Sequence, residues 1–166
     1  MENAISGLII IGVLMLAMLG ISQSAITTQA GVAEAARGLQ ARLAEQARTN
    51  LSAPSVALSG PGDTLYITLK NTGSVKLADF AHWDVIVQYT DTLFSSHIDW
   101  VPYGQWTRQI YASAPTTLEQ WEPDILNPGE EVVIIVPLMF TVGSPTVNVV
   151  TVSTPNGVAV TTTFNR

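Results

Sequence analysis

The chain contains no cysteine in its 166 residues. That excludes a disulfide framework and thiolate metal sites, and leaves packing and hydrogen bonding to hold any folded part together. Charge is scarce as well: charged residues make up 12% of the chain, where soluble chains carry nearer ~25%. Thirteen acidic residues against seven basic ones give a net charge of −6, which opposes binding to nucleic acid or to an anionic membrane surface. From Asn3 to Ala33 there is no charged residue at all, and the first basic residue is Arg37. A secretory signal peptide begins with basic residues and has a short apolar core, so the absence of both points to a retained anchor. The phosphate-cradling glycine motif and the Gly-x-Ser-x-Gly elbow are missing too, and with them two common routes to catalysis.

What the chain does have is a long apolar start. Ala4–Ile21 reads AISGLIIIGVLMLAMLGI, which meets the ~18–20 apolar residues needed to cross a bilayer as a helix. Small and helix-favouring residues follow until Ser52-Ala53-Pro54 supplies a stop signal. A continuous helix of about 50 residues spans roughly 75 Å, far more than one membrane. Val32, Ala36, Leu39, Leu43, Ala47 and Leu51 form a narrow apolar stripe on its second half. Glu34 with Arg37, Arg42 with Glu45, and Glu45 with Arg48 are spaced for weak ion pairs. Gly7, Gly12, Gly20, Gly31 and Gly38 each cost a helix about 1 kcal/mol relative to alanine. Close approach of neighbouring helices is a reason to keep them.

After Pro54 the period changes from helical to alternating, which sets a helical part at 1–52 against a second part at 53–166. The second part, about 116 residues, is long enough to bury a core of its own. Strands are expected at Val56–Leu58, Thr64–Asn71, Trp83–Thr90, Trp106–Ala112, Glu131–Val136, Thr146–Ser153 and Val158–Phe164. Turns separate them at Asn71-Thr72-Gly73-Ser74, Asn127-Pro128-Gly129 and Thr154-Pro155-Asn156-Gly157, and Pro137 places the end of its strand at an edge or bulge. The fold class is α+β: a long hydrophobic helix followed by an antiparallel β-sandwich of immunoglobulin type.

Chemistry-bearing residues are few. His82 stands with Asp79 and Asp84 in DFAHWD, and His97 with Asp99. Neither group has established ligand spacing, so both read as polar connections rather than metal or acid–base sites. No cofactor, metal or catalytic residue is assigned, and the chain is read as a non-enzyme. Trp83, Trp100, Trp106 and Trp121, with Tyr89, Tyr103 and Tyr111, are expected to fill a core or a subunit contact in preference to a sugar-binding surface. Asn50-Leu51-Ser52 is a glycosylation acceptor pattern at Asn50.

The run Ala4–Ile21, its continuation to Arg48, ITLKNTGS at Ile67–Ser74, LNPGEEV at Leu126–Val132 and STPNGV at Ser153–Val158 together resemble an archaellin. Archaellins are the filament subunits of the archaeal swimming organelle, related to type IV pilins. The resemblance covers nearly the whole chain, and it rests on the order of these motifs behind a charge-free helix. It implies a homopolymer: the helix is held in the membrane, then transferred to a filament core packed through Ile5, Leu8, Ile9, Gly12, Leu16, Leu19, Gly20, Ile26, Val32, Ala36, Leu39 and Leu43. The sandwich would form the outer, extracellular sheath. It also implies a prepilin-type peptidase that removes a short basic leader, with Met1 then either the mature terminus or an initiator, and an ATP-driven assembly machine. Type IV pilins carry glutamate at the fifth mature position; with Met1 as the mature terminus this chain has Ile5 there, a departure that favours archaellin over an adhesive pilin, with Glu2 as an alternative source of a similar contact. Two readings compete: an accessory or stator protein of the same organelle, built on the same plan, and a membrane-anchored immunoglobulin-like binding module.

Overall fold

The computed structural model describes residues 2–113 and 117–166, with side chains described at 7–20, 28–112 and 117–166. One long α-helix, α1, runs Glu2–Arg48, and a short 3-10 helix spans Phe80–His82. The chain divides into two compact units, one ending at Leu43 and the other spanning Ala44–Arg166. The helix therefore ends one turn short of the expected Leu51. Its last turn is closed by Thr49, whose hydroxyl and backbone N–H both donate to the Glu45 carbonyl. Leu51, expected on the helical stripe, instead opens the first strand and is 5% exposed.

The strands are β1 (Leu51–Leu58), β2 (Thr64–Asn71), β3 (Asp84–Thr90), β4 (Ser96–Val101), β5 (Thr107–Ser113), β6 (Thr117–Leu118), β7 (Glu131–Pro137), β8 (Val147–Ser153) and β9 (Ala159–Asn165). They form two antiparallel sheets, ordered β1-β2-β7-β5-β6 and β4-β3-β8-β9. The alternation that marks β2 in the sequence is fulfilled residue by residue: Leu65, Ile67 and Leu69 are fully buried, and they sit in register with Val136, Ile134 and Val132 of β7, which are buried to the same extent. Val85 and Val87 of β3 face them from the other sheet with Val150 and Val152 of β8. Each such side chain contributes ~1.5–3 kcal/mol when removed from water, so this two-layer core is the main stabilising element of the sandwich.

Several expectations are corrected. β1 is eight residues long and contains Pro54, a residue expected to act as part of a stop signal. The pairing with β2 shifts register between Ser52 and Ser55, a bulge that accommodates a residue with no N–H to donate. Pro137 ends β7, which is an interior strand and not an edge; β5 pairs with β7 only as far as Ile135, so the missing N–H removes no bond from that ladder. β4 escapes the sequence pattern because its alternation is inverted, with Ile98 and Trp100 exposed while the polar His97 and Asp99 are half-buried. β6 is too short to carry a pattern.

The junction between the end of α1 and the sandwich is built on one buried amide. Asn71, fully buried, donates from Nδ2 to the carbonyls of Val75 (2.8 Å) and Leu126 (3.0 Å), and its Oδ1 accepts from the Gly73 N–H at 3.0 Å. That shapes the 71–74 turn so that Thr72 N and Gly73 N donate to the Asn50 carbonyl and Ser74 N to the Arg48 carbonyl. Gly73 is required by space, since a Cβ there would lie 2.5 Å from the Arg48 oxygen. From the opposite side Asn156 Nδ2 donates to Thr49 Oγ1 at 2.7 Å, and the Gly129 N–H donates to the Asn71 carbonyl. Thus the turns at 71–74 and 154–157 bond to the residues at and just after the helix end, and the turn at 127–129 bonds to Asn71 behind them.

Replacing Asn71 by alanine removes three hydrogen bonds worth ~0.5–1.5 kcal/mol each; the Leu126 carbonyl keeps the Leu77 N–H and the Gly73 N–H keeps the Asn50 carbonyl, while the half-buried Val75 carbonyl loses its Asn71 donor. The expected outcome is a loss of about 1.5–4.5 kcal/mol, read by denaturant unfolding of the detergent-solubilised chain followed through Trp83 and Trp106 fluorescence. A loss under about 1 kcal/mol would show that the junction does not depend on this side chain.

Candidate interaction surfaces

Among the described residues, the helix presents an exposed apolar surface. Leu8, Ile9, Leu16 and Leu19 are exposed, as are Val32, Leu39 and Leu43 further along, at between 53% and 76%. Gly12, Gly20 and Ala36 are exposed beside them. Ile5 and Ile26 lie outside the described side chains. A Cβ added at Gly7, Gly12, Gly20, Gly31 or Gly38 would meet no atom within 4 Å, so the lone helix has no steric need for glycine. Among the described residues no helix is long and apolar enough to cross a membrane; side chains of the apolar run are described only from Gly7 to Gly20. Of the anticipated ion pairs, Glu34 and Arg37 meet at 3.6 Å. Arg48 instead donates from Nε to the Ala44 carbonyl.

On the sandwich, Asn50 is exposed between two buried neighbours, Thr49 and Leu51. The aromatic residues split. Trp83, Trp106 and Tyr89 are buried, as expected of core residues, whereas Trp121, Trp100 and Tyr103 are 93%, 61% and 49% exposed. At one end, Leu93 and Phe94 in the β3–β4 turn and Met139 in the β7–β8 connection are exposed too.

The polar clusters prove to be structural. His82 pairs with Asp79 at 2.8 Å on the surface, while Asp84 accepts from Trp100 Nε1 at 2.9 Å. His97 does not pair with its sequence neighbour Asp99. Its Nε2 meets Asp91 Oδ2 at 2.9 Å, and its ring stacks between Tyr89 and Phe140 at centroid distances of 5.2 and 4.6 Å. Asp99 accepts from the Tyr89 hydroxyl at 3.0 Å. Asp91, whose role no sequence signal indicated, holds the β3–β4 turn by accepting from the Leu93 and Ser95 N–H groups. The hydrogen bond from His97, then those from Ser95 and Leu93, hold the Asp91 carboxyl below the usual carboxylate range. Burial pushes the Tyr89 hydroxyl up to about 12, with Asp99 adding to the rise.

Because the Asp91 carboxyl titrates lower in the folded chain than in the unfolded one, its contribution to stability is present at neutral pH and is lost as pH falls below the ordinary carboxylate value of ~3.9. Asp91→Asn should lower stability at pH 7 and flatten the decline between about pH 4 and pH 2 relative to the parent chain. Thermal unfolding at a series of pH values measures this; parallel curves for the two proteins would refute it.

The family model described as conserved flagellar protein F, immunoglobulin-like domain, matches residues 47–162. No curated protein matches the chain. Among solved structures, the chain is similar to the archaellum periplasmic stator protein FlaG from Sulfolobus acidocaldarius, with 21% identity, a TM-score of 0.53, and coverage of 70% of this chain and 99% of that one. The structure of the periplasmic stator protein complex of FlaF and FlaG from the same organism matches at 22% identity and a TM-score of 0.50, covering 69% of this chain and 87% of that one. A chain of the archaeal flagellum of Methanospirillum hungatei strain JF1 covers 92% of both chains, but at 15% identity and a TM-score of 0.43 it carries no argument. The solved structures thus establish a shared sandwich fold, and the resemblance to the filament subunit gives way to a narrower assignment resting on the sandwich rather than on the helix. The chain belongs to the conserved flagellar protein F family through its immunoglobulin-like domain.

Proposed function

We propose that the chain is an accessory, stator-type component of the archaellum and not the subunit of its filament. The family match at residues 47–162 carries this reading, because it falls on the sandwich, the part that distinguishes one member of the helix-plus-sandwich plan from another. In this reading the N-terminal helix is a fixed anchor, inserted through the uncharged run Ala4–Ile21, and the sandwich works outside the membrane. Its partner is another sandwich of the same organelle, by analogy with the periplasmic stator complex of FlaF and FlaG. The prepilin-type peptidase and the ATP-driven assembly machine then serve the filament subunit, and this chain supplies a static contact. No catalysis is assigned. Asn50, exposed next to the membrane-proximal end of the sandwich in this reading, meets the requirements of a glycan acceptor in sequence and in access.

The glycines fit this role as well as they fit a filament core. Small residues on an apolar helix permit a neighbouring helix to approach closely, and a stator needs its anchor to hold against torque. Leu16→Glu places a carboxylate in a run without a charged partner, at a cost of ~2.5–3.5 kcal/mol or more in a bilayer. The full chain should fractionate with membranes, and detergent extraction of cells should release it in a defined complex with a second archaellum sandwich protein. Leu16→Glu should lose both properties while keeping its β-sheet circular dichroism. Recovery of the wild-type chain as a self-assembled filament would reject the proposal.

A further inference from the structure

A cavity of about 450 Å³ opens on the sandwich where the β4–β5 turn and the start of β5 face the β6–β7 connection, lined by Tyr103, Trp106, Thr107, Arg108 and Asp124 among others. Its chemistry is one-sided. The Trp106 indole N–H and the Arg108 Nε–H are buried and have no acceptor, and they are the buried side-chain polar atoms without a partner among the described residues. Trp106 is 3% exposed. A buried unpaired donor costs ~1–3 kcal/mol, and both donors belong to residues that line this one cavity and lie beneath its surface, where no acceptor among the described residues reaches them.

Arg108 is held ready. Its guanidinium lies 4.4 Å from the Phe80 ring centroid and 5.9 Å from that of Tyr103, Nη1 donates to the Tyr103 hydroxyl, and Nη2 pairs with Asp124 Oδ1 at 2.5 Å. Asp124 occupies only one side of the guanidinium fork, leaving Nε empty and its own Oδ2 without a described donor. Tyr103 and Asp124 contact the residues that carry these donors, and a small shift of either, the Asp124 side chain being 81% exposed and Tyr103 half-exposed, would open the donors to a ligand while both stay beside it. Tyr103 packs edge-on against Trp106, at 5.5 Å and 85°, and offers its ring as a wall.

Two donors, one free carboxylate oxygen and an aromatic wall around a cavity of this size complement a ring that bears neighbouring hydroxyls. We propose that this cavity binds a neutral pyranose sugar. Trp106 Nε1–H and Arg108 Nε–H would donate to sugar oxygens, Asp124 would accept from a hydroxyl, and Tyr103 would cover the C–H face. A carboxylate ligand fits less well. Asp124 already neutralises Arg108, Glu119 and Glu122 stand in the same connection, and the chain carries a net charge of −6, so a second anion meets repulsion. The site is independent of the stator reading, since it stands whether the sandwich serves a base or a filament.

The test is titration of the full chain in detergent with the methyl glycosides of glucose, mannose, galactose and N-acetylglucosamine, alongside sodium acetate and sodium glucuronate. The readout is the Trp106 indole N–H resonance, assigned through Trp106→Phe. At least one neutral glycoside should shift that resonance saturably at millimolar concentration, with acetate inert. Trp106→Phe, which keeps the ring and removes the donor, should weaken binding about fivefold, and Tyr103→Ala, at a half-exposed position that should not impair folding, about tenfold; in the Trp106 variant binding is read from the sugar's own saturation-transfer signal. Absence of any shift with all four glycosides would overturn the proposal, as would a stronger response to acetate or unchanged affinity in the Tyr103 variant.

Discussion

The three hydrogen bonds of the Asn71 side chain are the constraint on which the arrangement of the second unit depends. They fix the 71–74 turn, the turn presents two N–H groups to Asn50 and one to Arg48, and those bonds take over the carbonyls that the end of a helix leaves unpaired. Without this exchange the chain would have no reason to leave the helix at Arg48 and enter β1 shortly afterwards. Gly73 serves the same exchange by the lack of a side chain, and Asn156 seals it from the opposite turn. A helix end buried against a sheet is stable only when its orphan groups find partners, and here the partners are side chains and turns drawn from positions as far apart in the sequence as Asn71 and Asn156.

The division of labour follows from the same point. The sandwich satisfies its own polar groups at this junction and buries its own core, with fully buried residues on β2, β3 and β7. The helix before Leu43 does the opposite: its described leucines and isoleucines are exposed, and a Cβ added at its glycines would meet no atom within 4 Å. Such a chain is completed by its surroundings, lipid or protein. In an accessory component the folded head makes the specific contact and the apolar rod holds position, a use of the fold that asks for no chemistry from His82, His97 or the aspartates beside them, all of which are committed to local pairs.

Much of this was legible in the sequence, and the reasons for the remainder are physical. Alternation revealed β2 and β7 because their inward residues are uniformly apolar, and the change of period after the helix marked the second part of the chain. β4 stayed hidden because His97 and Asp99 turn inward to serve Asp91 and Tyr89 while Ile98 and Trp100 face out, the reverse of the usual code. The link between His97 and Asp91 spans a turn and has no fixed spacing to betray it. The turn motifs were visible as turns, but nothing local indicated that two of them bond at the helix end and the third to Asn71 behind them. The same helix-plus-sandwich plan serves filament and accessory proteins alike, so periodicity could not choose between them, and the choice came from the family match over 47–162.

The most direct measurement is immunogold electron microscopy of intact cells that produce the chain, with antibody against the sandwich and the filament shafts in view. A static accessory component should place gold at the cell envelope where filaments emerge and leave the shafts bare. Gold distributed along the shafts would contradict the account and return the chain to the filament itself.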